Sequence, residues 1–170
     1  TAAALKDLHA AGGVYSVLGN HDWWFDGTRV RRALETGGIK VLENEVIRIN
    51  VNDKKFWLAG LADALTRPQD VNGTLAKIPS GEPAIVLTHV PDVFPSVTNS
   101  VSLTLGGHTH GGQVNLPLVG RLVVPSQFGQ RCAAGLVVED GKRLFVTTSV
   151  DTSILPVRFR VPPEIAILTL

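Results

Sequence analysis

Four of the five histidines, His21, His89, His108 and His110, stand directly after short apolar runs, and only His9 lies in a stretch with helical spacing. Imidazole nitrogens suit zinc, iron and manganese, and carboxylate or amide oxygens complete such sites. Gly19-Asn20-His21-Asp22 brings an amide, an imidazole and a carboxylate into four residues. In Gly106-Gly107-His108-Thr109-His110-Gly111-Gly112 two imidazoles are one residue apart among glycines. On a strand such a pair points the same way. In a turn it can diverge towards two metals about 3.5–4 Å apart, and glycines let the backbone approach a metal or phosphate closely. Each piece also has a plainer reading. His89 alone is an ordinary hydrogen-bonded strand-end residue, and Gly-Asn-His-Asp alone is a turn with an Asn cap. Three such groups at successive strand ends favour a site.

The elements that must carry these groups follow from hydropathy and punctuation. The spacing predicts a helix over 2–11 that Gly12-Gly13 ends, a strand over 14–18, and a polar turn over 19–22. A helix over 29–35, capped by Asp26 or Thr28, precedes a short strand over 39–42. Residues 46–51 and 55–61 form a hairpin about Asn52-Asp53, and a further helix covers 69–77. The unbroken apolar run 84–88 reads as a strand buried on both faces. Strands are also predicted over 101–105, 122–124, 135–138, 144–148 and 164–170. In an open α/β sheet chemistry sits beyond the carboxyl ends of the strands, where the histidine groups fall.

Composition sets the bounds. The 170 residues are 44% hydrophobic and 18% charged with net charge +1, enough for one packed domain over 1–170. No basic block interleaved with aromatics signals nucleic-acid binding. The lone Cys132 permits no intrachain disulfide. No apolar run approaches the roughly 20 residues that cross a bilayer. The chain starts at Thr1, contains no Met and opens inside a helical pattern, so an N-terminal portion is expected to precede it. The compartment therefore stays open between cytoplasmic and membrane-associated, the latter only through that missing portion.

The three histidine groups, in this order and spacing, resemble the calcineurin-like metallophosphoesterase superfamily. Its pattern is an Asp-x-His, a Gly-Asp, a Gly-Asn-His-Asp/Glu, a lone His after a strand, and a Gly-His-x-His. The tail segments Gly111-Gly112-Gln113-Val114, Ser153-Ile154-Leu155-Pro156-Val157-Arg158-Phe159 and Pro163-Glu164-Ile165 are similar to the bacterial YaeI/YkuE-like phosphodiesterase subgroup, except that Asp151 stands where that pattern has a glycine. The resemblance implies an α/β fold: a metallophosphoesterase-type β-sandwich of mixed sheets flanked by helices, here lacking its N-terminal part. It implies two divalent metal ions (Mn, Fe, Zn or similar), with Asn20, His89 and His108 on one and His110 on the other. It also implies that His21 contacts the phosphate and protonates the leaving group, with Asp22 fixing its tautomer. The expected substrate is a small-molecule or lipid-linked phosphoester.

The first two blocks are absent. Asp7-Leu8-His9 is the one literal Asp-x-His, but it lies in a helical stretch too close to Gly19, and no Gly-Asp dipeptide occurs. Without the acidic ligands, metal binding should be weakened and this chain alone inactive. An exposed sheet edge is expected to promote self-association. Two other functions compete. A non-catalytic metal-binding or scaffold module would use the same ligands without a general acid. A metallo-β-lactamase-like hydrolase would need His-x-His-x-Asp-His, and this chain continues Gly111-Gly112-Gln113 instead. Arg158 and Arg121 are either phosphate ligands or exposed charges at strand ends. Trp23, Trp24 and Phe25 either wall the site or pack their helix onto the sheet.

Overall fold

A computed structural model describes residues 2–169. After a single helical turn, α1 (Ala2–Leu5), come β1 (Val14–Ser16), α2 (Asn20–Thr36), β2 (Ile39–Val41), β3 (Glu45–Val51), β4 (Lys54–Gly60), α3 (Val71–Leu75), β5 (Ala84–Leu87), β6 (Val101–Gly106), β7 (Asn115–Leu116), β8 (Gly120–Arg121), β9 (Gly135–Glu139) and β10 (Lys142–Val146). Six strands form one mixed sheet in the order β3-β4-β5-β6-β10-β9. The neighbours β4, β5, β6 and β10 run parallel, and the edge strands β3 and β9 pair antiparallel to them. The turn of the β3–β4 hairpin is Asn52-Asp53, both at positive φ (45° and 63°), the left-handed geometry a two-residue hairpin loop demands.

A second, two-stranded parallel sheet, β1–β2, stacks on the large one. Leu42, at the end of β2, packs with Ile49 and Leu58, against which Tyr15, Ile85 and Leu87 also lie. The stacking is so close at Gly60 that a Cβ there would stand 2.2 Å from the Cβ of Leu42. Helix α2 covers the outer face of β1–β2 through Leu34 and Val30 against Leu18, Ile39 and Val41. On the far face of the large sheet, Val71, Leu75 and Ile78 cover Ala59, Val86 and Val101. The result is a mixed α/β sandwich flanked by helices. Among the described residues β1 pairs only with β2, so its other edge is open, and a groove of about 610 Å³ runs beside it between α1 and α2.

Five expectations need correction. The helix over 2–11 stops at Leu5, because Gly12 and Gly13 instead form a turn that the Tyr15 hydroxyl secures by donating to the Gly12 carbonyl at 2.7 Å. The polar turn over 19–22 is instead the first turn of α2 from Asn20 on. Helix α2 is broken at Asp26, whose carboxylate accepts the Arg29 N–H at 3.0 Å and caps the second segment, as the sequence implied. The strand over 122–124 is replaced by the tight β7–β8 hairpin ending at Arg121, whose guanidinium donates to the Gly111 carbonyl at 2.8 Å. In the predicted strand over 164–170, residues 164–169 have no strand partner, and Leu170 lies outside the described residues. There the Glu164 carboxylate is drawn to the Thr148 N–H at 3.0 Å, and Ile165 and Ile167 are exposed. The helix over 69–77 is shorter, with Asp70 capping α3 through the Gly73 N–H.

Candidate metal centre

The parallel strands of the large sheet end along one edge, and each ends on a polar group. Asp63 follows β4, His89 follows β5, His108 and His110 follow β6, and the loop carrying Asp151 follows β10. Asn20 and His21 arrive from the stacked sheet, beyond β1. Register fixes the neighbours: β5 and β6 end side by side, and the Gly107 N–H donates to the His89 carbonyl at 3.0 Å. His89 therefore faces the His108 turn.

Three of the expected ligands converge. His89 Nε2 is 2.9 Å from Asn20 Oδ1 and 3.1 Å from His108 Nδ1, and the two rings meet edge to face with centroids 4.9 Å apart. Gly19 allows this closeness, since a Cβ there would stand 2.5–2.7 Å from His89 ring atoms. The Gly-His-x-His turn is anchored by Thr109, buried between the two histidines, whose hydroxyl donates to the Ala133 carbonyl at 2.7 Å. His108 and His110 flank it at φ 67° and 49°, backbone that non-glycine residues sparsely populate. His110 Nδ1 lies 3.4 Å from Asp151 Oδ1, and the contact lacks hydrogen-bond geometry, so a buried ring nitrogen stays unpartnered.

His21 is exposed, its ring 4.9 Å from that of Trp24, and both line the cavity of about 360 Å³ that holds His89, His108 and His110. Asp22 is turned elsewhere. Its carboxylate accepts the Gly19 N–H at 2.9 Å and caps α2, and no His21–Asp22 hydrogen bond occurs among the described residues. The aromatic run divides. Trp23 packs into the core beneath the Arg67 guanidinium, Trp24 walls the site, and Phe25 is exposed. Arg158 and Arg121 face backbone carbonyls. Arg158 ties those of Thr148, Ser149, Asp151 and Val161, holding the Asp151 loop beside His110.

No family model matches the chain. The uncharacterized metallophosphoesterase YkuE of Bacillus subtilis (strain 168) is 34% identical over 169 residues, 98% of this chain and 59% of its own length. The phosphodiesterase YaeI of Escherichia coli (strain K12) is 30% identical over 173 residues, 98% of this chain and 61% of its own. These likenesses, along nearly the whole of this chain, support the calcineurin-like metallophosphoesterase superfamily. The chain spans about three fifths of the length of these curated relatives.

Metallophosphoesterases use divalent ions, and the donor set here meets part of that need. Ligands on adjacent positions of one first-row ion, at bonds of about 2.1 Å, lie roughly 3 Å apart. His89 Nε2 stands at that spacing from both Asn20 Oδ1 and His108 Nδ1, which suits one ion. All three are neutral. Among the described residues no three His, Cys, Asp or Glu side chains form a metal-holding group. His110 stands apart from these three donors in the same cavity, with Asp151 at the mouth. Asp151 is the candidate that sequence reasoning left out, although its departure from the expected glycine was the signal. Asp63 was missed too. It is 1% exposed with one oxygen unpartnered, and its charge favours protonation of His108.

Burial holds these imidazoles neutral, the form that binds metal. It pushes His89 down to about 3, helped by His108, His110 and His21, and it lowers His108 and His110 against the opposing charges of Asp63 and Asp151 respectively. An unfolded histidine titrates near 6.5. Between about pH 3 and 6.5 the unfolded chain therefore binds a proton at position 89 that the native state refuses, and stability rises with pH. The unfolding free energy is expected to fall steadily from pH 7 to pH 4, by a few kcal/mol in all, carrying the denaturation midpoint down with it, and to fall less in His89→Gln. A midpoint flat across that span in the wild type would contradict the assignment.

Proposed function

We propose that this chain is the larger part of a metal-dependent phosphoric-ester hydrolase, a phosphodiesterase, working through a dinuclear centre. The observation that carries the reading is the convergence of Asn20, His89 and His108 beneath an exposed His21 in one cavity. YaeI is named a phosphodiesterase, which points to a diester substrate. Asn20, His89 and His108 would hold one ion, and His110, aided by Asp151, would contribute to a second. When bound, such ions supply Lewis acidity, lowering the pKa of water and neutralising phosphoryl charge. His21 faces the cavity, contacts the phosphate and donates a proton to the departing oxygen. Asp22 fixes the Gly19–His21 backbone by capping α2, and Trp24 limits where the His21 ring can swing.

The neutral donor set makes the 170 residues alone a weak metal site, so this chain is proposed to be inactive without further acidic ligands. The wholly neutral set, and an Asp22 occupied in capping, also favour a second reading, a metal-binding module without catalysis. One assay decides between them. Bis(p-nitrophenyl) phosphate with Mn²⁺ should be hydrolysed by a chain extended to the length of its relatives, with loss of activity in EDTA, and not by the 170 residues. Robust hydrolysis by the 170 residues would refute the inactivity. An inert extended chain would refute the enzyme.

A further inference from the structure

A second cavity of about 360 Å³ adjoins the metal centre and differs from it in chemistry. The two share His110, Pro125, Ser153 and Ile154, so the second opens directly beside the place proposed for the phosphoryl group. Its remaining wall is Val114, Leu122, Val123 and Leu155, with backbone of Gly112, and no charged side chain lines it. The polar side chains of Gln113 and Thr109 are committed elsewhere, and those of His110 and Ser153 lie on the boundary shared with the metal centre. The Gln113 amide donates to the Leu155 and Val157 carbonyls at 3.2 and 3.4 Å, and its oxygen accepts the Ser153 N–H. The Thr109 hydroxyl is bound to the Ala133 carbonyl. Beyond His110 and Ser153, a nucleobase or sugar would leave its own polar groups unpaired against Val114, Leu122, Val123 and Leu155, at a cost those side chains do not offset. A hydrocarbon has none to satisfy.

The mouth points the same way. Leu122 and Val123 are 60% and 72% exposed, and Leu118, Val119 and Val157, close by in sequence, are exposed as well. An apolar patch of this kind around a cavity marks a binding surface. Ile154, shared by both cavities, is a β-branched residue at φ 60° and 93% exposed, a conformation that costs stability and concentrates at functional sites. The cavity lies at the small end of the roughly 300–1,000 Å³ usual for ligand pockets, so it would take a stretch of one chain, with the rest lying along the exposed rim.

We infer that the cavity bounded by Leu122, Val123, Ile154 and Leu155 binds the hydrocarbon chain of an amphiphilic phosphoester whose phosphate sits at the metal centre. The headgroup half of this statement rests on the phosphoesterase reading, and the chain half does not. The test titrates the 170-residue protein with dodecyl phosphate, below its micellar concentration, and with methyl phosphate, both in the presence of Mn²⁺. Dodecyl phosphate should bind at least roughly tenfold tighter, since each buried methylene adds to affinity. In Leu122→Asp/Val123→Asp, whose side chains are mostly exposed so that folding tolerates the change, that advantage should shrink below about threefold. Circular dichroism of the variant checks its fold. The inference is overturned if wild type binds no dodecyl phosphate, if both phosphates bind equally, or if the folded double variant keeps the preference. It is also overturned if the substitutions only dissociate a dimer in sedimentation and leave dodecyl phosphate affinity unchanged. Chain-dependent binding with no hydrolysis by the extended protein would sink the phosphoesterase reading alone.

Discussion

His89→Ala and His108→Ala are each expected to lower Zn²⁺ or Mn²⁺ affinity by more than the roughly 10–100-fold typical of losing a residue that merely supports a ligand. The reason is the poverty of the donor set. Three neutral atoms, Asn20 Oδ1, His89 Nε2 and His108 Nδ1, converge with spacings of 2.9 and 3.1 Å, and among the described residues no carboxylate completes the group. Removing one of three leaves two neutral donors, which compensate a dication poorly. His89 lies between the other two, so its loss should be the more severe. The double variant should be little worse than His89→Ala, because residues acting as one unit are not additive. His9→Ala, outside the cavity, serves as the control. Calorimetric titration reads the effect, and affinity within about threefold of wild type in His89→Ala would remove His89 from the site. Part of the destabilisation at low pH should vanish with the same residue, which ties the metal and pH measurements to one side chain.

The sequence shows what arrives at the site better than how it is held there. The strand ends at His89 and His108 were legible because an apolar run followed by a polar group marks a parallel strand leaving the core, and β5 and β6 are such strands. The Asn52-Asp53 turn was legible from its residue types, as was the Asp26 cap. Two kinds of feature were not. The first needs a partner distant in sequence. Asp151 reaches His110 only because Arg158 gathers the carbonyls of its loop, and Asp63 becomes a buried acid only once β4 lies beside β5. The second is competition between structures. The apolar alternation of residues 165–169 reads as a strand, but a strand needs a neighbour, and none pairs with it among the described residues. The Gly-Asn-His-Asp group carried both a turn and a helix start in the same four residues. The helix won because Asp22 caps it through the Gly19 N–H.

That capping bond also separates two accounts of catalysis. In the extended, active chain, His21→Ala is expected to reduce kcat by about 10²–10⁴ on a diester with an alkoxide leaving group, the range a positioned general acid contributes. On bis(p-nitrophenyl) phosphate the loss should be smaller, because a stable phenolate departs without a proton. Metal affinity should be unchanged, since His21 is not among the converging donors. Asp22→Asn then discriminates. If Asp22 acts by fixing the His21 tautomer, replacing its charge should cost much of what His21→Ala costs. If it acts as the cap seen here, the asparagine carbonyl still accepts the Gly19 N–H and kcat should fall less than about tenfold. Asp22→Ala, which removes the acceptor, should do more harm than Asp22→Asn in rate and in stability alike. Equal losses in Asp22→Asn and His21→Ala would restore the dyad and demote the cap, and an equal loss on both leaving groups in His21→Ala would show that His21 binds phosphate without delivering the proton.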